Sequence, residues 1–270
     1  FKPRKTILGT DFAGKVESTG ENVKSFSTGD KVFGFIDTGA QSQATYIITK
    51  VENLFLIPEK IDYKQAAASL EGASYAYTFI HKVNIQSGQN ILINGATGGI
   101  GSALLQFVRQ YDVNITATCN TNNIQLIESL GADNIYDYTK KDFTKENDKY
   151  DFIFDAVGKS TFGKCLSLLK EKGVYISSEL GPYSQNIFYS LLTLVLSKKV
   201  IFPTPYSTEK TIPYICNLLE KGKFNPVIDR EYALEDISKA YEYVIKGQKI
   251  GNVLIDAHSS SSQYKIEEAA

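Results

Sequence analysis

The middle of the chain alternates between short apolar runs and stretches in which apolar residues recur at helical spacing. The pattern predicts buried strands at Ile91–Ile93, Asn114–Thr118, Asn134–Tyr136, Phe152–Asp155 and Val174–Ser177. It predicts helices at Gly99–Gln110, Ile124–Leu130 and Thr161–Leu169. Apolar strands joined by amphipathic helices indicate βαβ units, so we expect an α/β fold with a doubly wound parallel sheet.

The two ends of the chain follow other patterns. From Thr6 to Lys50, apolar and polar residues alternate over short stretches that glycines interrupt, which predicts a β-rich module. A helix with Asp62 as its N-cap is expected to run to about His81. Later segments predict two helices, one strand and an unstructured tail, at Glu209–Lys221, Leu234–Lys246, Asn252–Asp256 and residues 258–270.

Composition and charge exclude several classes of protein. Of 270 residues, 43% are hydrophobic and 22% are charged, and the formal net charge of −1 gives no field that attracts nucleic acid or an anionic membrane. The longest apolar run, Ile187–Leu196, is shorter than the roughly 20 residues that span a bilayer, and no signal peptide opens the chain. Three widely spaced Cys favour a reducing compartment. We expect a cytoplasmic protein without nucleic-acid or membrane partners and, because Met is absent, a fragment or processed form.

The most informative stretch is QNILINGATGGIGSALLQFVR, residues 89–109. A predicted strand runs into three glycines spaced three apart, and a predicted helix follows at once. In a dinucleotide site Gly95 would allow the tight turn, Gly98 would let the backbone approach a diphosphate, and Gly101 would let the helix pack on the strand. The alternative is that these glycines only turn a strand into a helix. The strand–helix context favours dinucleotide binding at the helix N-terminus.

The end of the second strand bears on which cofactor binds. Sites for NAD usually place a carboxylate there, about 20 residues after the loop, where it binds the ribose diol. Here the segment reads CNTNN, residues 119–123, and the next acid in the chain is Glu128. Amides and hydroxyls can donate to a 2′-phosphate, which a carboxylate would repel. The segment therefore favours NADP.

Several motifs in order resemble the medium-chain dehydrogenase/reductase superfamily, and in particular its zinc-free, zeta-crystallin-like quinone oxidoreductase branch. They are GTDFAGKVESTGENVKSFSTGDKVFGF (9–35), the glycine loop, SLGADNIYDY (129–138), DAVG (155–158) and PVIDREYALEDISKAYEYVIKGQKIGNVLI (226–255). The resemblance implies a discontinuous GroES-like β-rich catalytic domain, residues 1–70 and 204–257, around a Rossmann domain, residues 71–203. It also implies that the first strands of the catalytic domain are missing from this chain.

The resemblance also assigns cofactor contacts, all of them expectations for this chain. The pyrophosphate would meet Gly95, Ala96, Thr97, Gly98, Gly99, Ile100 and Gly101. The adenosine ribose and its 2′-phosphate would meet Asn120, Thr121, Asn123 and Tyr138. The nicotinamide end would meet Val157, Gly158 and Ser178, while Gly251 and Asn252 would close over the cofactor. Asn123 stands where some NADP-users have Lys, and Tyr75 where Thr is usual.

The same resemblance indicates that the chain lacks the ligands of a catalytic zinc ion. Zinc-dependent relatives have Gly-His-Glu where this chain has Gly9, Thr10 and Asp11, and no Cys precedes Cys119. We therefore expect NADPH-dependent hydride transfer to a quinone or an α,β-unsaturated carbonyl, with no catalytic side chain singled out. The alternatives are an aldehyde/alcohol or 2-enoyl thioester reductase and a non-catalytic nucleotide-binding relative. In relatives this part of the sheet pairs across a dimer axis, which implies a homodimer through Ile187–Leu196 and Lys198–Phe202; on length alone, an ordinary core helix and strand is the alternative.

Overall fold

The computed structural model describes residues 7–193 and 196–259. The chain divides into two compact units, one formed by residues 1–71 and 208–270 and the other by residues 72–207. Among the described residues, no helix has both the length and the apolar character that crossing a membrane requires. Of the predicted tail, residues 260–270 lie outside the described part, as do Leu194 and Val195 of the long apolar run.

The regular elements are numbered in chain order. The strands are β1 Asp11–Lys15, β2 Lys31–Phe35, β3 Phe55–Leu56, β4 Asn90–Asn94, β5 Asn114–Cys119, β6 Asn134–Asp137, β7 Tyr150–Asp155, β8 Leu169–Ser177, β9 Lys199–Ile201, β10 Ile228–Ala233 and β11 Asn252–Asp256. The helices are α1 Tyr63–Ala68, α2 Glu71–His81, α3 Gly99–Val108, α4 Ile124–Ser129, α5 Phe162–Cys165, α6 Gln185–Leu192, α7 Thr208–Glu220 and α8 Ile237–Ile245.

The unit of residues 72–207 is built on one parallel sheet. Its six strands lie in the order β6-β5-β4-β7-β8-β9, and every neighbouring pair is parallel. Leu92, Ile153 and Tyr175 of the central strands are fully buried and pack in one core with Phe162 and Leu168. The predicted α/β fold with a parallel sheet is confirmed, and the carboxyl ends of β4, β5, β7 and β8 meet along one edge.

The other unit contains two small sheets. Strands β1, β2 and β3 pair antiparallel, and β10 pairs parallel with β11. Its core joins Phe33 of β2 to Leu70 and to Ile212 of α7, so residues from both ends of the chain share one interior. Burial of each large apolar side chain of this kind stabilises the folded unit by about 2 kcal/mol.

The predicted single helix from residue 62 to residue 81 is wrong, because it is two helices. Asp62 does cap α1: its Oδ1 accepts from the Gln65 N–H at 2.7 Å, and the Gln65 side chain accepts from the Asp62 N–H. The helix ends at Ser69, whose hydroxyl donates to the Ala66 carbonyl. The Glu71 N–H then donates to Asp11 Oδ1 at 2.8 Å rather than to a helical carbonyl, so α2 begins afresh.

Three other predicted segments differ from the structure in part. Tyr46 and Ile48 lie outside any strand and are 70% and 103% exposed, since the backbone before them bonds to residues 8 and 9 instead of to a ladder. The helix predicted over Thr161–Leu169 is an α-helix only to Cys165; a 3₁₀ turn at Leu166–Leu168 follows it, and β8 begins at Leu169. The segment 234–236 forms a single 3₁₀ turn ahead of α8.

Candidate functional site

Two glycines of the loop after β4 are required by the fold itself. Gly95 has φ +80, and a Cβ there would lie 2.7 Å from the Cβ of Val157. A Cβ on Gly101 would lie 2.1 Å from the Gly95 carbonyl oxygen, closer than any real contact. Both glycines therefore let α3 and the loop after β7 pack tightly against the end of β4.

Gly98 is different, because nothing in the described chain requires a glycine there. Its backbone is extended, with φ −74 and ψ 170, and the nearest atom to an added Cβ is the Gly95 oxygen at 3.7 Å. Gly98 is the N-cap of α3, and no side chain caps the amides that follow. The missing side chain thus leaves space beside the N-terminus of the ten-residue helix α3, whose amides and dipole suit the negative charge of a diphosphate.

A buried chain of hydrogen bonds joins the ends of three strands behind this loop. The Gly95 N–H donates to the Thr118 hydroxyl of β5 at 2.9 Å, and that hydroxyl donates to Asn94 Oδ1 of β4 at 2.7 Å. The Asn94 amide donates in turn to Asp155 Oδ1 of β7 at 2.9 Å. The glycine loop is therefore fixed to the sheet by side chains as well as by its own backbone.

Asp155 is the centre of this network. Its side chain is fully buried and also accepts from the Tyr175 hydroxyl at 2.9 Å and from the N–H groups of Val157, Gly158 and Ser160 at 3.0–3.3 Å. The carboxylate thereby shapes the turn that follows β7. In the sequence, Asp155 stands out only as part of the motif DAVG; the signal that could have identified it is an acid at the carboxyl end of an apolar strand.

The structure brings the predicted nicotinamide contacts together around that turn. Val157 is 38% exposed beside Gly95, and Gly158 has φ +63. The Ser178 N–H, just after β8, donates to the Asp155 carbonyl at 3.0 Å. These residues therefore lie at one edge of the sheet with the glycine loop, while their contact with a nicotinamide stays a prediction.

Gly251 and Asn252 lie in the other unit and contact Val227. Gly251 has φ +61, and a Cβ there would lie 2.1 Å from the Val227 carbonyl oxygen. Asn252 donates to the same oxygen from its backbone at 2.9 Å and from its side chain at 3.0 Å. This packing gives both residues a structural role, and their predicted place over the cofactor remains untested.

The predicted adenosine contacts follow the end of β5. Thr121 opens a 3₁₀ turn that includes the buried Asn123, and the Asn120 Oδ1 atom is buried without a hydrogen-bond partner. Tyr138 is 55% exposed, and its N–H donates to the Cys119 carbonyl, which brings it beside this segment. Burial raises the pKa of the Cys119 thiol to about 11, so this Cys is an uncharged apolar residue.

An acidic side chain lies closer to residues 119–123 than the sequence indicated. Asp137 ends β6 directly opposite Cys119, and the Thr121 hydroxyl donates to its Oδ2 at 2.5 Å. A carboxylate therefore lies within hydrogen-bonding distance of the segment, although the next acid along the chain is Glu128. The two residues are 16 positions apart, so only the pairing of β5 with β6 brings them together.

The place where zinc-dependent relatives have Gly-His-Glu contains a half-buried acid in this chain. Asp11 accepts from the Thr10 hydroxyl and from the Glu71 N–H, both at 2.8 Å. Burial, and next the negative charge of Glu71, raise the pKa of Asp11 to about 7. Burial also raises the pKa of Glu71 and lowers the pKa of Lys249 in the same unit.

We predict that the Asp11 carboxyl makes the free energy of unfolding depend on pH. The folded chain keeps a proton on Asp11 between about pH 4 and pH 7, where the unfolded chain has lost it, so stability falls as the pH rises through that window. Asp11→Asn should be more stable than the wild type by about 2 kcal/mol at pH 8 and equal to it near pH 4. The value stays below the ~4 kcal/mol of the full shift because water reaches part of the side chain.

Denaturant unfolding at pH 4, 6 and 8 measures this difference. Glu59→Gln, at an exposed carboxyl of the same unit, is the matched control for the exchange of acid for amide. A gain for Asp11→Asn that is the same at all three pH values would contradict the prediction.

A catalytic zinc would need a cluster of ligand side chains. Across residues 7–193 and 196–259, no three His, Cys, Asp or Glu side chains lie together as a set of metal ligands. The described residues thus offer no donor set that fits a catalytic zinc, and the absence of a metal from the reaction stays an expectation.

Comparison with known proteins gives the family. Models described as "Alcohol dehydrogenase GroES-like domain" and "Zinc-binding dehydrogenase" match residues 1–78 and 130–255. The human quinone oxidoreductase is 31% identical over 264 residues, which cover 90% of this chain and 78% of that protein. The chain belongs to the medium-chain dehydrogenase/reductase family.

Other members of this family are similar along most of the chain. The chloroplastic NADPH-dependent alkenal/one oxidoreductase of Arabidopsis thaliana is 29% identical over 94% of this chain, which spans 64% of that protein's length. The solved quinone oxidoreductase of Coxiella burnetii superposes with a TM-score of 0.82 at 22% identity, covering 93% of this chain and 79% of the other. The named relatives at about 30% identity support an oxidoreductase of this family, and the Coxiella structure supports the fold.

Proposed function

We propose that the chain is an NADPH-dependent, zinc-independent reductase that transfers hydride to a quinone or an α,β-unsaturated carbonyl. The observation on which this depends is Gly98: its missing side chain opens space at the uncapped N-terminus of α3, although the fold does not need a glycine there. A site that keeps such space in front of helix amides is suited to a diphosphate.

The residues of the chain would bind and orient the cofactor. The loop from Gly95 to Gly101 would bind the diphosphate, and Asn120, Thr121, Asn123 and Tyr138 would surround the adenosine ribose. Val157, Gly158 and Ser178, positioned by Asp155, would meet the nicotinamide end, where the apolar Val157 side chain would exclude water. NADPH supplies the hydride.

The substrate class follows from what the chain lacks. Thr10 and Asp11 replace the Gly-His-Glu pattern of zinc-dependent relatives, so the acceptor must need little Lewis-acid activation. Quinones and conjugated enones meet this condition because the added negative charge spreads over a conjugated system onto oxygen. The names of the human quinone oxidoreductase and the Arabidopsis alkenal/one oxidoreductase support the same two classes.

The test is oxidation of NADPH with a panel of quinones, enones, 2-enoyl thioesters and saturated aldehydes, with EDTA or added zinc. We expect turnover with quinones or enones that EDTA leaves unchanged. Turnover restricted to saturated aldehydes, or turnover only after zinc is added, would contradict the proposal. Tight binding of NADPH without turnover on any acceptor would instead identify a non-catalytic nucleotide-binding protein.

The proposal includes a homodimer. Strand β9 is at the edge of its sheet, and Phe188 and Leu191 of the neighbouring α6 are 66% and 68% exposed. An edge strand next to exposed apolar side chains is suited to pairing with a second copy. Sedimentation at assay concentration should give the mass of a dimer, and a monomer mass would exclude it.

A further inference from the structure

Asp137 directs its carboxylate at residues predicted to surround the adenosine ribose. Its Oδ2 accepts from the Thr121 hydroxyl at 2.5 Å, and its Oδ1 accepts from the Thr139 hydroxyl at 2.6 Å. The Asp137 side chain is only 11% exposed. A half-buried negative charge therefore lies one hydrogen bond away from Thr121.

The carboxylate is charged at neutral pH. Hydrogen bonds from Thr121 and then Thr139 lower the pKa of Asp137 to about 2, since both stabilise the ionised form. Lys140 Nζ is 3.4 Å from Asp137 Oδ2, but this side chain is 67% exposed, and water and salt weaken its effect.

These hydrogen bonds decide what Thr121 can offer to a ligand. A hydroxyl has one hydrogen, so a Thr121 that donates to Asp137 can only accept from a ligand. A ribose 2′-hydroxyl can donate to the Thr121 oxygen, whereas a 2′-phosphate presents only acceptors and a like charge.

We infer that Asp137 is a specificity-determining residue of the cofactor site, which lowers the affinity for NADPH relative to NADH by repelling the 2′-phosphate and by retaining the Thr121 hydroxyl hydrogen. The inference rests on the proposed function, because it assumes that the adenosine ribose lies at residues 120–123. It predicts that this chain discriminates between NADPH and NADH only weakly, although the segment directly after β5, residues 120–123, contains no acid.

The chain contains a matched control five residues further on. Asp137 begins the sequence DYTK and Asp142 begins DFTK. Each Asp accepts from the N–H of the second residue after it at 3.0 Å and from that residue's hydroxyl, at 2.6 Å and 2.7 Å respectively. Each has a Lys three residues on. Of the two, only Asp137 has a described hydrogen bond with Thr121. Asp142→Asn therefore removes the same charge from the same kind of turn but leaves Thr121 unaffected.

The experiment is fluorescence titration of Asp137→Asn, Asp142→Asn and the wild type with NADPH and with NADH, without substrate. In Asp137→Asn the Kd for NADPH should fall about tenfold and the Kd for NADH should change by less than about twofold, because a nearby like charge has been removed. Asp142→Asn should leave both constants as in the wild type. Asp137→Ser, whose hydroxyl can also bond to the Thr139 N–H, repeats the test if the amide variant fails to fold.

An unchanged ratio of the two constants in folded Asp137 variants would overturn the inference while leaving the proposed function intact. An equal gain in Asp142→Asn would overturn it too, since the effect would then come from overall charge. Failure of the wild type to bind either nucleotide would instead contradict the proposed function.

Discussion

Gly98→Val should weaken nucleotide binding at least about a hundredfold and lower the melting temperature by no more than about 2–4 °C, the loss expected because valine caps a helix less well than glycine. The extended backbone at this position suits a valine, and the nearest protein atom to the new Cβ is 3.7 Å away. The side chain would instead fill the space in front of the α3 amides, where a diphosphate would receive charge-assisted hydrogen bonds worth about 1.5–3 kcal/mol each. Calorimetric titration with NADPH and thermal unfolding measure the two quantities.

Two other glycines serve as controls for Gly98→Val. Gly101→Ala forces a Cβ to 2.1 Å from the Gly95 oxygen, so it should lower stability as well as binding. Gly163→Ala, where the nearest atom is 4.0 Å away, should change neither. Normal nucleotide affinity in a folded Gly98→Val protein would exclude the glycine loop as the cofactor site.

Asp155→Asn should lower the free energy of unfolding by about 3 kcal/mol. The carboxylate accepts five hydrogen bonds in a fully buried position, and an amide in its place turns two N–H donors towards groups that are themselves donors. Each buried donor left without an acceptor costs about 1–3 kcal/mol. Because local shifts relieve one or two of these unpaired donors, we expect the total loss to stay near about 3 kcal/mol. Denaturant unfolding at neutral pH measures it.

Tyr175→Phe is the matched control for Asp155→Asn. It removes only one of the five donors, the Tyr175 hydroxyl at 2.9 Å, and keeps the ring in its core position. We expect a loss of about 1 kcal/mol. If the two variants lost equal stability, the network around Asp155 would not act as a unit, and its role in shaping the turn after β7 would be refuted.

Sequence-based prediction was correct for some residues and wrong for others. Asp62 was correctly identified as a helix N-cap, because its partner Gln65 is only three residues away. The end of that helix was missed, because the Glu71 N–H bonds to Asp11, 60 positions earlier in the chain. Tyr46 and Ile48 alternate as strand residues do, yet no neighbouring strand pairs with them.

The same difference runs through the candidate site. The βαβ order and the glycine spacing were readable from the chain alone, because each depends on hydrophobic periodicity and backbone geometry within some twenty residues. The distinct status of Gly98, the five hydrogen bonds to Asp155 and the approach of Asp137 to Thr121 were not. They depend on which strands become neighbours in the sheet, and strand order is decided by packing of the whole unit rather than by any local segment.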